Sequence, residues 1–191
     1  MKDIKNLFLG AGLLTAMLSA CSTSEHSNLT QSGLNPADFD STVLGKKTEL
    51  VTLKNANGME VCLTNYGGRV VSISVPDKDG KPTDVVLGYD NIHQYADTLN
   101  SPSDYGSSVG RYANRIRDGR FTLHGRTYQL PRNRPPHCLH GGQTGFDRKL
   151  WRVTRHSAET VTFQLFSPDG DQGFPGSLTA TAVYAVKEST L

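Results

Sequence analysis

Three polar residues with complementary chemistry occur in one segment of the sequence, from Gly110 to Trp151. Asn114 and Arg115 are adjacent in GRYANRI, and His140 is followed by two glycines in LHGG. An amide both donates and accepts hydrogen bonds, a guanidinium donates through a planar fork, and an imidazole can exchange a proton near neutral pH. These chemistries suit a neutral, hydroxyl-rich ligand such as a sugar. The segment therefore predicts a sugar-binding site.

Each of these residues also has an ordinary structural alternative. Arg115 could pair with Asp118, which the residues alone would favour, and His140 could be a surface loop residue. The run His137-Cys138-x-His140 contains residue types that bind zinc, but its spacing fits no standard four-ligand site. We therefore predict no metal site, and leave the roles of Arg115 and His140 open on the residues alone.

The N-terminal segment has the features of an export signal. Lys2 and Lys5 precede an apolar run from Leu7 to Leu18, and the box LSAC ends at Cys21. A basic start, a short apolar stretch and small residues before the cleavage site are typical of secretory signals. The run is too short to span a membrane comfortably. The cysteine favours a lipoprotein signal over residues 1–20, with lipid on Cys21, over an ordinary secretory signal.

The lipid would hold the protein at a membrane of the bacterial cell envelope, facing the periplasm or the outer membrane, without spanning it. Residues 21–45 are rich in Ser, Thr, Asn and Gly and predict a flexible tether, which leaves residues 46–191 for the folded domain. The formal net charge is +2 and the basic residues are dispersed, so the sequence predicts no nucleic-acid partner.

From Lys47 onward, short runs rich in β-branched residues alternate with turns that contain Gly, Pro, Asp or Asn. No long stretch has apolar residues at helical spacing, so the pattern predicts an all-β fold. The predicted strands are Glu49–Leu53, Met59–Asn65, Arg69–Val75, Asp84–Leu87, Arg120–Leu123, Thr127–Leu130, Trp151–Arg155, Val161–Phe166 and Leu178–Val186. Leu99–Gly110 and Pro131–Lys149 are predicted to be long loops, which on β scaffolds often carry function.

Two cysteines, Cys62 and Cys138, lie within the predicted domain. An exported protein permits a disulfide between them, but the sequence does not give the distance between their α-carbons. Cys62 lies in the apolar stretch MEVCL, which favours a buried free thiol.

The order and spacing of the motifs GRYANRI, GRFTLHGRTYQL, CLHGG, GFD and LW resemble those of the aldose 1-epimerases, or galactose mutarotases. TNYGGRVVSISVPDKDG, DVVLGYD and SPDGDQGFPGSL extend the resemblance over roughly residues 49–184. The resemblance implies a galactose mutarotase-like fold, a two-layer antiparallel β-sandwich with the sugar on one concave face.

The resemblance also implies an activity, the interconversion of the α and β anomers of a free aldose such as galactose or glucose. A base takes the proton of the anomeric hydroxyl while an acid protonates the ring oxygen, so the ring opens and can close in the other form. No metal or organic cofactor is required. His140 corresponds to the family's first active-site histidine, and Asn114 and Arg115 to its substrate-binding pair, so the resemblance favours ligand-binding roles for all three.

The family's acid histidine, in an N-H-x-Y-F-type segment, and its base glutamate have no counterpart before Leu191. We therefore expect this chain to be the N-terminal portion of an epimerase, with a sandwich that is incomplete at the C-terminus and without activity alone. One alternative is a lipid-anchored, non-catalytic carbohydrate-binding module. Another is a mutarotase-like domain of a larger carbohydrate enzyme.

Overall fold

The computed structural model describes residues 28–100 and 104–191. The predicted signal over residues 1–20, Cys21 and the start of the predicted tether lie outside the described residues. Within the described residues, no helix is both long enough and apolar enough to cross a membrane.

Antiparallel strands dominate the described residues, and an all-β fold is confirmed. The strands are β1 (Thr42–Val43), β2 (Lys46–Lys47), β3 (Leu50–Lys54), β4 (Glu60–Thr64), β5 (Arg69–Pro76), β6 (Pro82–Asp84), β7 (Arg115–Ile116), β8 (Arg120–Leu123), β9 (Arg126–Gln129), β10 (Cys138–Leu139), β11 (Arg152–His156), β12 (Thr160–Ser167) and β13 (Leu178–Ala185). Over residues 28–100 and 104–191, one short helix, α1 (Ile92–Ala96), and four 3-10 turns complete the elements: Pro36–Phe39, Arg117–Gly119, Phe146–Arg148 and Asp171–Gly173.

The two larger sheets have the strand orders β3-β4-β5-β6 and β11-β12-β13, and three two-stranded ladders join β1 to β2, β7 to β10 and β8 to β9. Alternate residues of β3 and β12 are buried, as expected for strands that cover a core on one face. Buried side chains from one face of each larger sheet and from adjoining loops form one cluster: Val51, Leu53, Met59, Val61, Leu63, Phe146, Trp151, Val161, Phe163, Leu165 and Val186.

The other face of the four-stranded sheet is also covered. All five residues of β4 are buried, and a second cluster places Cys62 and Val71 of this sheet with Phe39 and with Ile92 of α1. The sheet therefore has apolar side chains packed on both of its faces.

The prediction of a flexible tether is wrong for residues 34–39. Leu34 is buried and Phe39 is completely buried in the second cluster. The Asn35 side chain caps the Pro36–Phe39 turn, and the Thr48 hydroxyl donates to the Phe39 carbonyl at 2.6 Å. The polar composition of this segment concealed the packing, because two large apolar side chains suffice to attach it.

Two local predictions also differ from the structure. The strand predicted at Asp84–Leu87 is instead β6, which ends at Asp84, because the Asp84 carboxylate accepts from the Val86 amide and turns the chain. The long loop predicted from Pro131 to Lys149 contains strand β10, which is only two residues long. Strands this short leave no periodic pattern in the sequence.

Candidate functional site

The ladder between β7 and β10 brings the two predicted motifs together. Arg115 lies opposite Leu139 in this antiparallel pair. The backbone amide of His140 donates to the Asn114 carbonyl at 3.1 Å, and the backbone amide of Asn114 donates to His140 Nδ1 at 3.0 Å. Asn114 and Arg115 therefore meet His140, which is more than twenty residues away in sequence, at one end of this ladder.

The hydrogen bond from the Asn114 amide determines which nitrogen of neutral His140 carries the proton. A ring nitrogen that accepts a hydrogen bond cannot also hold the hydrogen, so Nδ1 is bare and the hydrogen is on Nε2. Nε2 lies 3.9 Å from Oδ2 of Asp104, and 29% of the His140 side chain is exposed. His140 thus offers an N–H donor at the surface of the protein.

The backbone at both of these residues is left-handed. Asn114 has a φ of 64° and His140 a φ of 50°. Asn and His tolerate this region better than most residues, although each such residue costs roughly 1 kcal/mol or more. The Asn114 side chain accepts from the Arg115 amide at 2.8 Å and so supports the turn locally. This conformation directs the Asn114 amide toward the imidazole.

Close backbone contact holds the two loops against each other. Gly141 has a φ of 85°, and a Cβ built on it would lie 1.8 Å from the Gly110 carbonyl oxygen. A Cβ on Gly110 would in turn lie 2.4 Å from Cδ2 of Phe146. Both positions therefore require glycine, because any side chain would separate the loops.

Arg111 connects this region to the end of β12 and to Pro168, which follows it. Its Nε donates to Ser167 Oγ and its Nη2 to the Ser167 carbonyl, both at 2.9 Å. The Asp171 carboxylate accepts from Ser167 and from Lys149 Nζ. Burial opposes ionisation of Asp171, but the hydrogen bonds from Lys149 and Ser167 outweigh it and lower the pKa of this carboxyl. The sequence interpretation missed Arg111, although its place directly before Tyr112-Ala-Asn in the motif was a signal.

A buried arginine fixes two further loops beside His140. Arg69 is 1% exposed; its Nε donates to the Tyr66 carbonyl at 3.0 Å and its Nη2 to the Asp147 carbonyl at 2.7 Å. Nη1 lies 3.4 Å from the Tyr105 carbonyl, and the guanidinium lies over the Tyr95 ring at 4.8 Å. Burial lowers the pKa of Arg69. Arg69 thus connects β5 to the segments that carry Asp104 and Asp147.

Asp147 is buried, and burial raises the pKa of its carboxyl. Its Oδ2 lies 3.3 Å from Arg148 Nε, whereas Oδ1 has no hydrogen-bond partner among the described residues. Asp147 also lines a small cavity of about 30 Å³ beside His140. The lining residues are Asp104, Asn133, Arg134, Leu139, His140, Gly142, Asp147 and Arg148.

Arg115 is exposed and lies in a different, larger groove of about 560 Å³. Within the described ranges Arg115 forms no ion pair with Asp118; its Nη1 lies 3.5 Å from Asn114 Oδ1. Its fork of donors therefore remains available to a ligand. The groove is lined by Arg111, Tyr112, Arg115, Ile116, Arg117, Phe121, Leu123, Phe174, Pro175 and Leu178.

The two cysteines are buried, and His137 of the His137-Cys138-x-His140 run takes part in a hydrogen bond within the protein. Cys62 and Cys138 are both buried free thiols, they belong to separate clusters, and burial raises the pKa of each. His137 Nδ1 accepts from the Asp118 amide at 3.2 Å. In the described part of the chain, no group of three or more His, Cys, Asp or Glu side chains is arranged to hold a metal ion.

Comparison with known sequences gives a consistent result. The family model for aldose 1-epimerase matches residues 49–191. A probable aldose 1-epimerase of Arthroderma benhamiae is 43% identical over 137 residues, which cover 70% of this chain and 31% of that protein. The aldose 1-epimerase of Escherichia coli K12 is 39% identical over 144 residues (75% and 41%). The galactose mutarotase of Mus musculus is 41% identical over 128 residues (67% and 36%).

Solved structures agree. An aldose epimerase homologue from C. elegans superposes with a TM-score of 0.68 at 34% identity, over 73% of this chain and 42% of that one. Galactose 1-epimerase from Lactobacillus acidophilus NCFM gives a TM-score of 0.64 at 30% identity, over 78% and 43%. The chain thus spans about two fifths or less of the length of the curated relatives described above. By its matched motifs, its antiparallel sheets and these similarities, the chain belongs to the aldose 1-epimerase family.

Proposed function

We propose that this chain carries the first part of the active site of an enzyme that interconverts the α and β anomers of a free hexose such as galactose or glucose. The observation that supports this most is the hydrogen bond from the Asn114 amide to His140 Nδ1. It leaves a fixed Nε2–H donor on His140, while the exposed guanidinium of Arg115 supplies further donors in the larger groove.

In this proposal, His140 donates from Nε2 to a hydroxyl of the bound sugar. As the bond between C1 and the ring oxygen breaks, negative charge develops on the ring oxygen, and a fixed N–H donor near it favours the transition state over the ground state. Arg115 donates to sugar hydroxyls and limits the rotation of the ligand. No step calls for a metal or an organic cofactor.

We propose further that the 191 residues alone have little activity. Mutarotation needs one group to remove a proton and another to deliver one, and His140 cannot do both in concert. The sequence holds no Asn-His pair to match the family's acid segment. Positioning by Asn114 and Arg115 without a proton-transfer pair would give only a small gain in rate.

Polarimetry tests this function. The sample is the full product of the reading frame that contains these residues, called the full-length protein below, compared with residues 22–191. Freshly dissolved α-D-glucose and α-D-galactose should equilibrate faster with the full-length protein than in buffer, and at close to the buffer rate with residues 22–191. A rate equal to the buffer control for several aldoses would refute the enzymatic proposal.

The alternative is a lipid-anchored, non-catalytic sugar-binding module, for which the exposed Arg115 groove would provide a binding surface. Titration calorimetry separates the two proposals, because a binding module would bind hexoses without accelerating mutarotation. Attachment to the bacterial envelope through Cys21 is proposed for either function, from the LSAC box.

A further inference from the structure

We propose that Asp104 determines sugar specificity, and that its carboxylate and the imidazole of His140 together bind a single sugar hydroxyl. The inference rests on the proposed function, since it concerns the same site. Asp104 was not among the residues that the sequence motifs indicated.

The first support is a distance. Asp104 Oδ2 and His140 Nε2 are 3.9 Å apart, which is too far for a direct hydrogen bond. A hydroxyl oxygen about 2.8 Å from each atom would make an angle of roughly 90° between the two contacts, which a hydroxyl group can accept. The gap therefore has the size of one bridging oxygen.

The second support is the direction of each hydrogen bond. His140 Nδ1 already accepts from the Asn114 amide, so neutral His140 can only donate from Nε2. An ionised carboxylate can only accept. A group between them must accept from one side and donate to the other, and a hydroxyl does both. A hydrogen or a methyl group at that position of the sugar would leave the donor and the acceptor without partners.

The third support is access and order. The side chain of Asp104 is 47% exposed and that of His140 is 29% exposed, so a ligand can reach both. The Asp104 backbone is fixed, because its carbonyl accepts from the Ser107 amide at 3.1 Å and from the Ser107 hydroxyl at 2.8 Å. Among the described residues, His140 alone lies within ion-pair distance of this carboxylate.

The test measures selectivity between sugars. Polarimetric kcat/KM values are compared for galactose, glucose and their 2-, 3-, 4- and 6-deoxy analogues. The full-length protein is compared with Asp104→Ala, Asp104→Asn and the control Asp79→Ala, which removes an exposed carboxylate from the turn between β5 and β6. Thermal melts establish that each variant is folded.

We expect the unaltered protein to disfavour one deoxy analogue by about tenfold or more, because its site then keeps an unpaired donor and acceptor. Asp104→Ala should reduce the rate for the parent sugar but not for that analogue, so that the discrimination falls to about twofold. Asp104→Asn should retain part of the discrimination, because its amide oxygen can still accept a hydrogen bond. Asp79→Ala should leave the discrimination and the rates unchanged.

Unchanged discrimination in Asp104→Ala would overturn the inference, as would an equal fall in rate for every sugar, which indicates a structural role only. If the unaltered protein does not accelerate mutarotation, the proposed function fails by itself. The same comparison is then made with binding constants from calorimetry. In those binding constants, loss of discrimination between sugars in Asp104→Ala would support the inference. Discrimination that persists in this variant, or no sugar binding at all, would overturn the inference.

Discussion

Replacing Arg69 with methionine should destabilise the full-length protein substantially. Two carbonyl oxygens, of Tyr66 and Asp147, accept from the guanidinium within 3.0 Å and would lose their donors. Each buried group left without a partner costs about 1–3 kcal/mol, or about 2–6 kcal/mol for the pair. Methionine keeps some contact with the Tyr95 ring and removes a buried charge, which offsets about 1–2 kcal/mol. The free energy of unfolding should therefore fall by about 2–4 kcal/mol.

The loss should appear as a decrease in Tm of about 5–15 °C, since 1 kcal/mol corresponds to roughly 2–4 °C for a protein of this size or larger. Urea unfolding gives the free energy itself. Arg152→Met is the matched control, because Arg152 is exposed and its Nη2 donates to the Gln164 side chain on the protein surface. It should change the free energy of unfolding by less than about 0.5 kcal/mol.

A cooperative unfolding transition for Arg69→Met within about 0.5 kcal/mol of the parent would refute this account of Arg69. It would mean that the carbonyl oxygens of Tyr66 and Asp147 find other donors and that the loops bearing Asp104 and Asp147 do not depend on Arg69. A fall in the free energy of unfolding as large in Arg152→Met as in Arg69→Met would also refute it, because the exposed arginine would then matter as much as the buried one.

Three other predictions concern the site and the leader. His140→Ala in the full-length protein should reduce turnover on the order of 10²-fold with folding intact, and Arg115→Ala should also reduce it; unaltered kinetics in both folded variants would show that the site is misassigned. Asn114→Gly and Asn114→Val both remove the side-chain amide, but only valine disfavours a backbone φ of 64°. Polarimetry should therefore find the valine variant at least about tenfold slower than the glycine variant, and equal rates would show that the backbone conformation is unimportant. A fatty-acid analogue should label the protein and not Cys21→Ala, and equal labelling would contradict lipid attachment at Cys21.

The strands of the core could be predicted because their burial alternates. Val161, Phe163 and Leu165 occupy alternate positions of β12 and all are buried, as a period of two predicts. The meeting of Asn114 with His140 could not be predicted from periodicity, because β7 and β10 are two residues long each. It could be expected only from the order of the motifs that resemble the family.

Arg69 and Asp104 escaped prediction for a different reason. A single sequence does not show which carbonyl oxygens converge on a buried guanidinium, and arginine is ordinarily assigned to the surface. Asp104 lies in a polar segment without strand pattern, where one acidic residue resembles the next. Both were identified by distances between segments that are far apart in sequence, such as the 78 positions between Arg69 and Asp147.

The contact between Gly141 and the Gly110 carbonyl limits how this site can be re-engineered. The Gly110 carbonyl oxygen occupies the space that a methyl group on residue 141 would need. Neither loop can therefore be lengthened, shortened or grafted onto another scaffold without the other loop. Cavity-lining positions outside that contact, such as Asp104 and Arg134, are free of this constraint. A combinatorial library that randomises those two positions and keeps both glycines would explore new sugar preferences on an intact framework.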